Sequence, residues 1–141
     1  MKNLVIILVF LFSVGICTAQ ENEGVKFLDI SFEQAFEQAK QEGKQVFVKY
    51  STKGCAPCKI MDMSVYTNSD IAEKMNQNFV CIKLDPMKDK SLEKRAREVH
   101  KIRGFPTMMF FKSDGSLISK AIGGKSVEEF NQLLNNVVAG L

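Results

Sequence analysis

Glycine and proline are scarce, 9 and 3 in 141 residues, and tryptophan is absent. That scarcity excludes a collagen-like or disordered chain. Four cysteines are too few to replace a core, which excludes a disulfide-dense mini-protein. No strong excess of one charge exists. The net of +3 is mild and points neither to nucleic acid nor to an anionic membrane. Repeats, low-complexity tracts and linkers are missing too. What is present, 45% hydrophobic and 25% charged residues in a chain of this length, suits one compact globular domain.

The one long apolar run opens the chain. Met1-Lys2-Asn3 is followed by Leu4 to Ile16, broken only by Ser13 and Gly15. One positive charge and a short apolar stretch fit a secretory signal, and the run falls short of the roughly 20 residues a membrane span needs. Cleavage after Ala19 leaves residues 20–141 as the mature domain, with a periplasmic or secreted location in a bacterium. Cys17 raises lipoprotein anchoring as the less favoured alternative, because the residue before it is Ile16 instead of a small one. Three cysteines remain after cleavage, Cys55, Cys58 and Cys81, and three cannot all pair within one molecule.

Residues 20–26 read as a loose polar leader. Ser31 lies three residues before Gln34, a capping-box pattern, and Phe32, Ala35, Phe36 and Ala39 recur at helical spacing until Gly43. Gln45–Tyr50 reads as a strand. A helix follows from Pro57 to about Val65, is broken over 66–69, and resumes with Ile71, Ala72 and Met75 on one side. Phe79–Leu84 is the next strand and Ser91–His100 the next helix. Thr107–Lys112 and Leu117–Ile122 form a hairpin around Asp114-Gly115. Ser126 and Glu129 cap the last helix. This alternation predicts an α/β fold, a mixed central sheet with helices on both faces.

Cys55-Ala56-Pro57-Cys58 falls between a strand and a helix. Unpaired N–H groups and the positive dipole end of a helix stabilise a thiolate, the nucleophile of disulfide exchange. Cys55 should be the more exposed, attacking sulfur, with a lowered pKa, and Cys58 the shielded resolving one. Pro57 loses nothing by lacking an N–H in a first turn. Lys53 and Lys59 add positive potential on either side. Two other readings stand beside this one. A plain structural disulfide would close too short a loop to stabilise much. A zinc set of Cys55, Cys58, Cys81 and His100 lacks a second close-spaced ligand pair. Haem attachment fails because Lys59 stands where histidine is needed.

The cysteine pair, its strand-to-helix position, Gly104-Phe105-Pro106-Thr107 ahead of a strand, Asp114-Gly115 and the closing helix together resemble the thioredoxin superfamily. The resemblance runs from about Ser31 to Leu134 and is similar to the soluble domains of thiol-disulfide interchange proteins. It implies a three-layer thioredoxin-like fold. It also implies a cis Phe105–Pro106 bond facing the cysteines, with Phe105, Pro106 and Thr107 offering backbone to an extended substrate. No cofactor and no metal are implied. The expected partners are disulfide-bearing proteins and a membrane protein that supplies electrons, the protein itself being a monomer.

Two positions depart from that family. Gly54 stands where tryptophan precedes the first cysteine, and Lys49 stands where a buried acid lies six residues before it. A buried lysine must find a partner, lose its proton or reach solvent. Near Cys58 it would tune the thiol; on a displaced strand it would snorkel outward. Cys81 reads as a small buried hydrophobe, His100 as a partly buried helix-end residue, and the basic stretch 88–103 as a solvated face. Arg103 is the exception there, leading into the Pro106 loop. The expected function is thiol-disulfide exchange in the reducing direction. The alternative is a binding module whose Cys55–Cys58 bridge is passive.

Overall fold

A computed structural model describes residues 24–141. The signal-peptide reading of residues 1–19 and the question of Cys17 lie outside the described residues. Among those described, no helix is long and apolar enough to cross a membrane.

The chain runs β1 (Phe27–Leu28), α1 (Phe32–Glu42), β2 (Gln45–Tyr50), α2 (Ala56–Ser64), α3 (Ser69–Asn78), β3 (Phe79–Leu84), α4 (Lys90–Lys94), a π-helical turn (Arg95–Val99), β4 (Thr107–Phe111), β5 (Leu117–Ile122) and α5 (Val127–Ala139). Five strands form one sheet in the order β1-β3-β2-β4-β5. β1, β3 and β2 are parallel, and β4 and β5 are antiparallel additions. The mixed α/β sheet read from the sequence is therefore the one observed.

Local chemistry sets the boundaries. The Ser31 hydroxyl accepts the Gln34 N–H while Gln34 Oε1 accepts the Ser31 N–H at 2.8 Å, and Gly43 closes α1 at φ 65°. Ser126 and Glu129 repeat the reciprocal cap at α5. Such caps each contribute about 1 kcal/mol by satisfying N–H groups that a helix leaves free. Gly115, at φ 93°, takes the left-handed place in the hairpin between β4 and β5.

Apolar residues alternate across the sheet into two cores. Phe47, Cys81, Met108 and Phe110 face α2, α3 and α5 through Met61, Ile71, Met75, Phe130 and Leu134. Val46, Val48, Tyr50, Ile82 and Met109 face α1 and the π-helical turn through Ala35, Ala39 and Ala96. β2 and β3 are thus covered on both faces, which is why they read as nearly continuous apolar runs.

Three differences from the sequence reading have physical reasons. β1 escaped it because two residues carry no periodicity; its place comes from pairing with Cys81 and Ile82. Residues 24–26, read as the end of a loose leader, are instead tied down: the Val25 N–H bonds to the Tyr66 carbonyl at 2.7 Å and the Lys26 N–H to Asn76 Oδ1 at 2.9 Å. The single helix expected over Ser91–His100 is α4 followed by the wider π turn, where the His100 N–H bonds to the Arg95 carbonyl at 2.9 Å. Lys101 then turns out of the helix at φ 50°. Cys81 and His100 face opposite cores, so they do not join Cys55 and Cys58 in one ligand set.

Candidate active site

Cys55 is the N-cap of α2, with extended backbone at φ −72° and ψ 100°. In that position its Sγ points back over the first turn and accepts the Cys58 N–H at 3.3 Å. The two sulfurs are bonded, with Cα atoms 5.3 Å apart. Cys55 is half-buried and Cys58 is 3% exposed, so an incoming sulfur meets Cys55 first. The Cys58 N–H that faces Cys55 Sγ is placed to stabilise negative charge on that sulfur.

The cis-proline loop lies beside this turn. The Phe105–Pro106 bond is cis. The Pro106 carbonyl accepts the Gly123 N–H at 2.8 Å, and a Cβ placed on the next residue, Gly124, would stand 3.2 Å from the Pro57 side chain. Thr107 is buried, pairs with Tyr50 at the end of β2, and its hydroxyl donates to the Gly104 carbonyl at 2.7 Å. Phe105 packs against the α1-side core. Sequence-distant Phe105, Pro106 and Thr107 are in this way brought to the cysteine end of the sheet. Gly54 adopts φ 87°, so the turn that lacks an aromatic wall is also one that favours glycine.

Lys49 is fully buried, which overturns the outward-snorkelling alternative. Its Nζ donates to the Cys58 carbonyl at 3.2 Å and to Asp62 Oδ1 at 2.7 Å, and lies 4.9 Å from the Tyr66 ring centre. The register of the sheet explains the need for Asp62. Lys49 on β2 stands directly beside Lys83 on β3, and like charges on neighbouring strands repel. Asp62, one helical turn after Cys58, bridges them, with Lys83 Nζ 3.0 Å from each carboxylate oxygen. Burial pushes the Lys49 ammonium below its ordinary range, its bond and charge contact with Asp62 push it back up, and Lys83 lowers it slightly.

Lys53 and Lys59 are exposed on either side of the pair, where salt screens their field. Asp62 and Lys83 went unseen in the sequence, although two lysines in otherwise apolar strands were the available signal. A cleft of about 310 Å³ opens here, lined by Ser51, Thr52, Gly54, Cys55, Cys58 and Asp62 among others. It gives an approaching group a path to the sulfurs and the carboxylate together.

Known proteins share this fold. A sequence profile of a family described as a thioredoxin-like domain matches residues 32–138. A protein from Bacteroides thetaiotaomicron, provisionally assigned as a disulphide-isomerase, has a solution structure that is 30% identical. The match covers 82% of this chain and 93% of that one, with a TM-score of 0.71. The thiol:disulfide interchange protein DsbD of Pseudoalteromonas atlantica is 30% identical over 110 residues, 78% of this chain but 18% of that protein. A thioredoxin from Thermus thermophilus, 19% identical, covers 82% of this chain and 88% of its own with a TM-score of 0.69, a likeness of fold alone. The chain spans less than a fifth of the length of the curated relatives it matches.

Proposed function

The chain belongs to the thioredoxin-like domain family, and from that premise we propose that it is an exported thiol-disulfide oxidoreductase that reduces disulfides in periplasmic proteins. The observation that carries the reading is the asymmetric pair: a half-buried Cys55 sulfur held by the Cys58 N–H at a helix N-cap, over a buried Cys58.

The Cys55 thiolate attacks one sulfur of a substrate disulfide, forming a mixed disulfide and releasing the other substrate sulfur as thiolate. Cys58 then gives up its proton and attacks Cys55 Sγ. The second substrate sulfur leaves, the substrate has gained two electrons, and the protein disulfide is formed. Lys49 and Asp62 form an ion pair against the Cys58 backbone. We read them as positioning residues that set the field at the resolving sulfur. The Pro106 loop supplies backbone to an extended substrate segment. A membrane protein returns electrons to the pair, and the signal segment 1–19 delivers the domain, residues 20–141, to that compartment.

Pro57 before Cys58 supports the reducing direction, since a proline in the first turn is shared with reducing members of the superfamily. The direction is tested by the reduction potential of the pair. A value near the thioredoxin figure of about −270 mV agrees, and one near about −120 mV makes the protein an oxidant. The enzyme reading itself is tested by two variants. Cys55→Ser should abolish exchange with model disulfides, while Cys58→Ala should accumulate mixed disulfides with exported proteins. Retained partner binding with no exchange in the unmodified protein would mark a passive bridge instead.

A further inference from the structure

We propose that residues 88–103 form a cationic docking ridge for acidic protein substrates, receiving the Asp- and Glu-rich segment that flanks the target disulfide. This rests on the redox reading above and names its substrate class.

The whole chain carries a net charge of +3, yet residues 88–103 alone hold seven lysines and arginines against three acids, a net of +4. Everything else is close to neutral. Within the stretch the acids are mostly engaged. Asp89 caps α4 by accepting the N–H groups of Ser91 and Leu92. Glu93 pairs with Arg97 at 3.1 Å, and Arg95 reaches across to Glu33. Lys88, Lys90, Lys94, Lys101 and Arg103 are all exposed, and among the described residues none of them forms a salt bridge. Among the described residues, Glu98 is the one exposed acid of the stretch without a salt bridge or side-chain hydrogen bond. A solvated helix needs no such imbalance, since alternating signs would serve it as well.

Placement ties the ridge to the redox site at both ends. It leaves β3 where the Leu84 carbonyl accepts the Ser51 N–H at 3.0 Å, at the loop that carries Cys55. It returns through Arg103 and Gly104 to the cis Phe105–Pro106 bond. A polypeptide paired along the Pro106 loop would meet Arg103, the end of the ridge that leads into that loop, first. Met87 and Val99, 76% and 68% exposed, add apolar contact points. Two such points suit a protein surface and are too few to insert into a bilayer. Complementary charge of this kind acts mainly on the rate of encounter.

The test uses two peptides of equal length, each with one internal disulfide, one flanked by Asp and Glu and the other by Lys. Serine forms of both are titrated into the oxidised protein and backbone amide shifts are followed by NMR. Disulfide forms are mixed with the reduced protein and exchange is timed, with a small neutral disulfide as reference. The proposal expects amide shifts over 88–103 with the acidic peptide alone. It also expects exchange at least about tenfold faster with the acidic peptide than with the basic one at low salt, the ratio shrinking towards unity as salt rises. The combined variant Lys88→Glu, Lys90→Glu, Lys94→Glu should reverse that preference and leave the neutral disulfide reacting as before; the two-peptide comparison on the unmodified protein stands without it. Equal rates and no shifts, with the neutral disulfide still reacting, would overturn the ridge and leave the redox reading intact. Shifts without any exchange would do the opposite. Binding of anionic phosphatidylglycerol vesicles in place of the acidic peptide would overturn the proposal in favour of a membrane surface.

Discussion

Lys49 Nζ lies 2.7 Å from Asp62 Oδ1 at a position with no solvent exposure, and the same ammonium holds the carbonyl of Cys58. The pair is unequal, because Asp62 has a second partner in Lys83 and about a third of its side chain in contact with water. Removing the lysine leaves a carboxylate still paired. Removing the acid leaves a buried cation without a counter-charge.

Stability should register that inequality. Lys49→Met replaces a buried charge by an apolar side chain of similar length and should change stability by less than about 1 kcal/mol or raise it. Asp62→Ala should cost about 2–4 kcal/mol, tempered by the freedom of Lys49 to shed its proton. Urea unfolding of both variants checks the order, and equal losses would contradict it.

Among the described residues the buried Tyr66 hydroxyl has no hydrogen-bond partner, and burial holds its pKa well above the ordinary phenol range. Its ring meanwhile packs against Phe27, Phe47 and Phe130. Tyr66→Phe keeps the ring and removes a desolvated polar group, so stability should rise by about 1 kcal/mol. A loss of similar size on urea unfolding would mean the hydroxyl is satisfied.

Acid should weaken the α1-side core through His100. Its Nδ1 meets the Tyr50 hydroxyl at 2.7 Å among Phe32 and Phe111. Burial, followed by the charges of Arg95 and Lys120, lowers its pKa from 6.5 to about 4. The folded state therefore binds fewer protons than the unfolded one between those values. Stability from this group is complete above the unfolded pKa of 6.5 and is lost as pH falls from there to about 4, by roughly 3 kcal/mol in all. Below about 4 its contribution levels off. His100→Phe should flatten the pH-dependence of urea unfolding across this window. An unchanged slope would place the acid sensitivity elsewhere.

Local chemistry is legible in the amino-acid sequence. The Ser31–Gln34 and Ser126–Glu129 caps, the Asp114-Gly115 turn and the Cys55–Cys58 spacing each rest on residues within a few positions of one another. What stays hidden there depends on register. Lys83 meets Lys49 because β3 lies beside β2, and Asp62 meets both because α2 packs over those strands. β1 exists only through its partner β3. The π turn is invisible for another reason: the apolar spacing of Leu92, Ala96 and Val99 suits an ordinary helix, and nothing in it marks the wider turn that carries His100 to Tyr50.

The acidity of Cys55 tests the account most directly. Thiolate absorbance of the fully reduced protein should rise with a midpoint clearly below the unperturbed cysteine value of about 8.5. That component should vanish in Cys55→Ser, while buried Cys81, whose thiol is pushed upward, stays silent over the same range. A reduced protein in which no thiol ionises below the ordinary range would contradict the claim that the α2 N-cap prepares Cys55 for exchange.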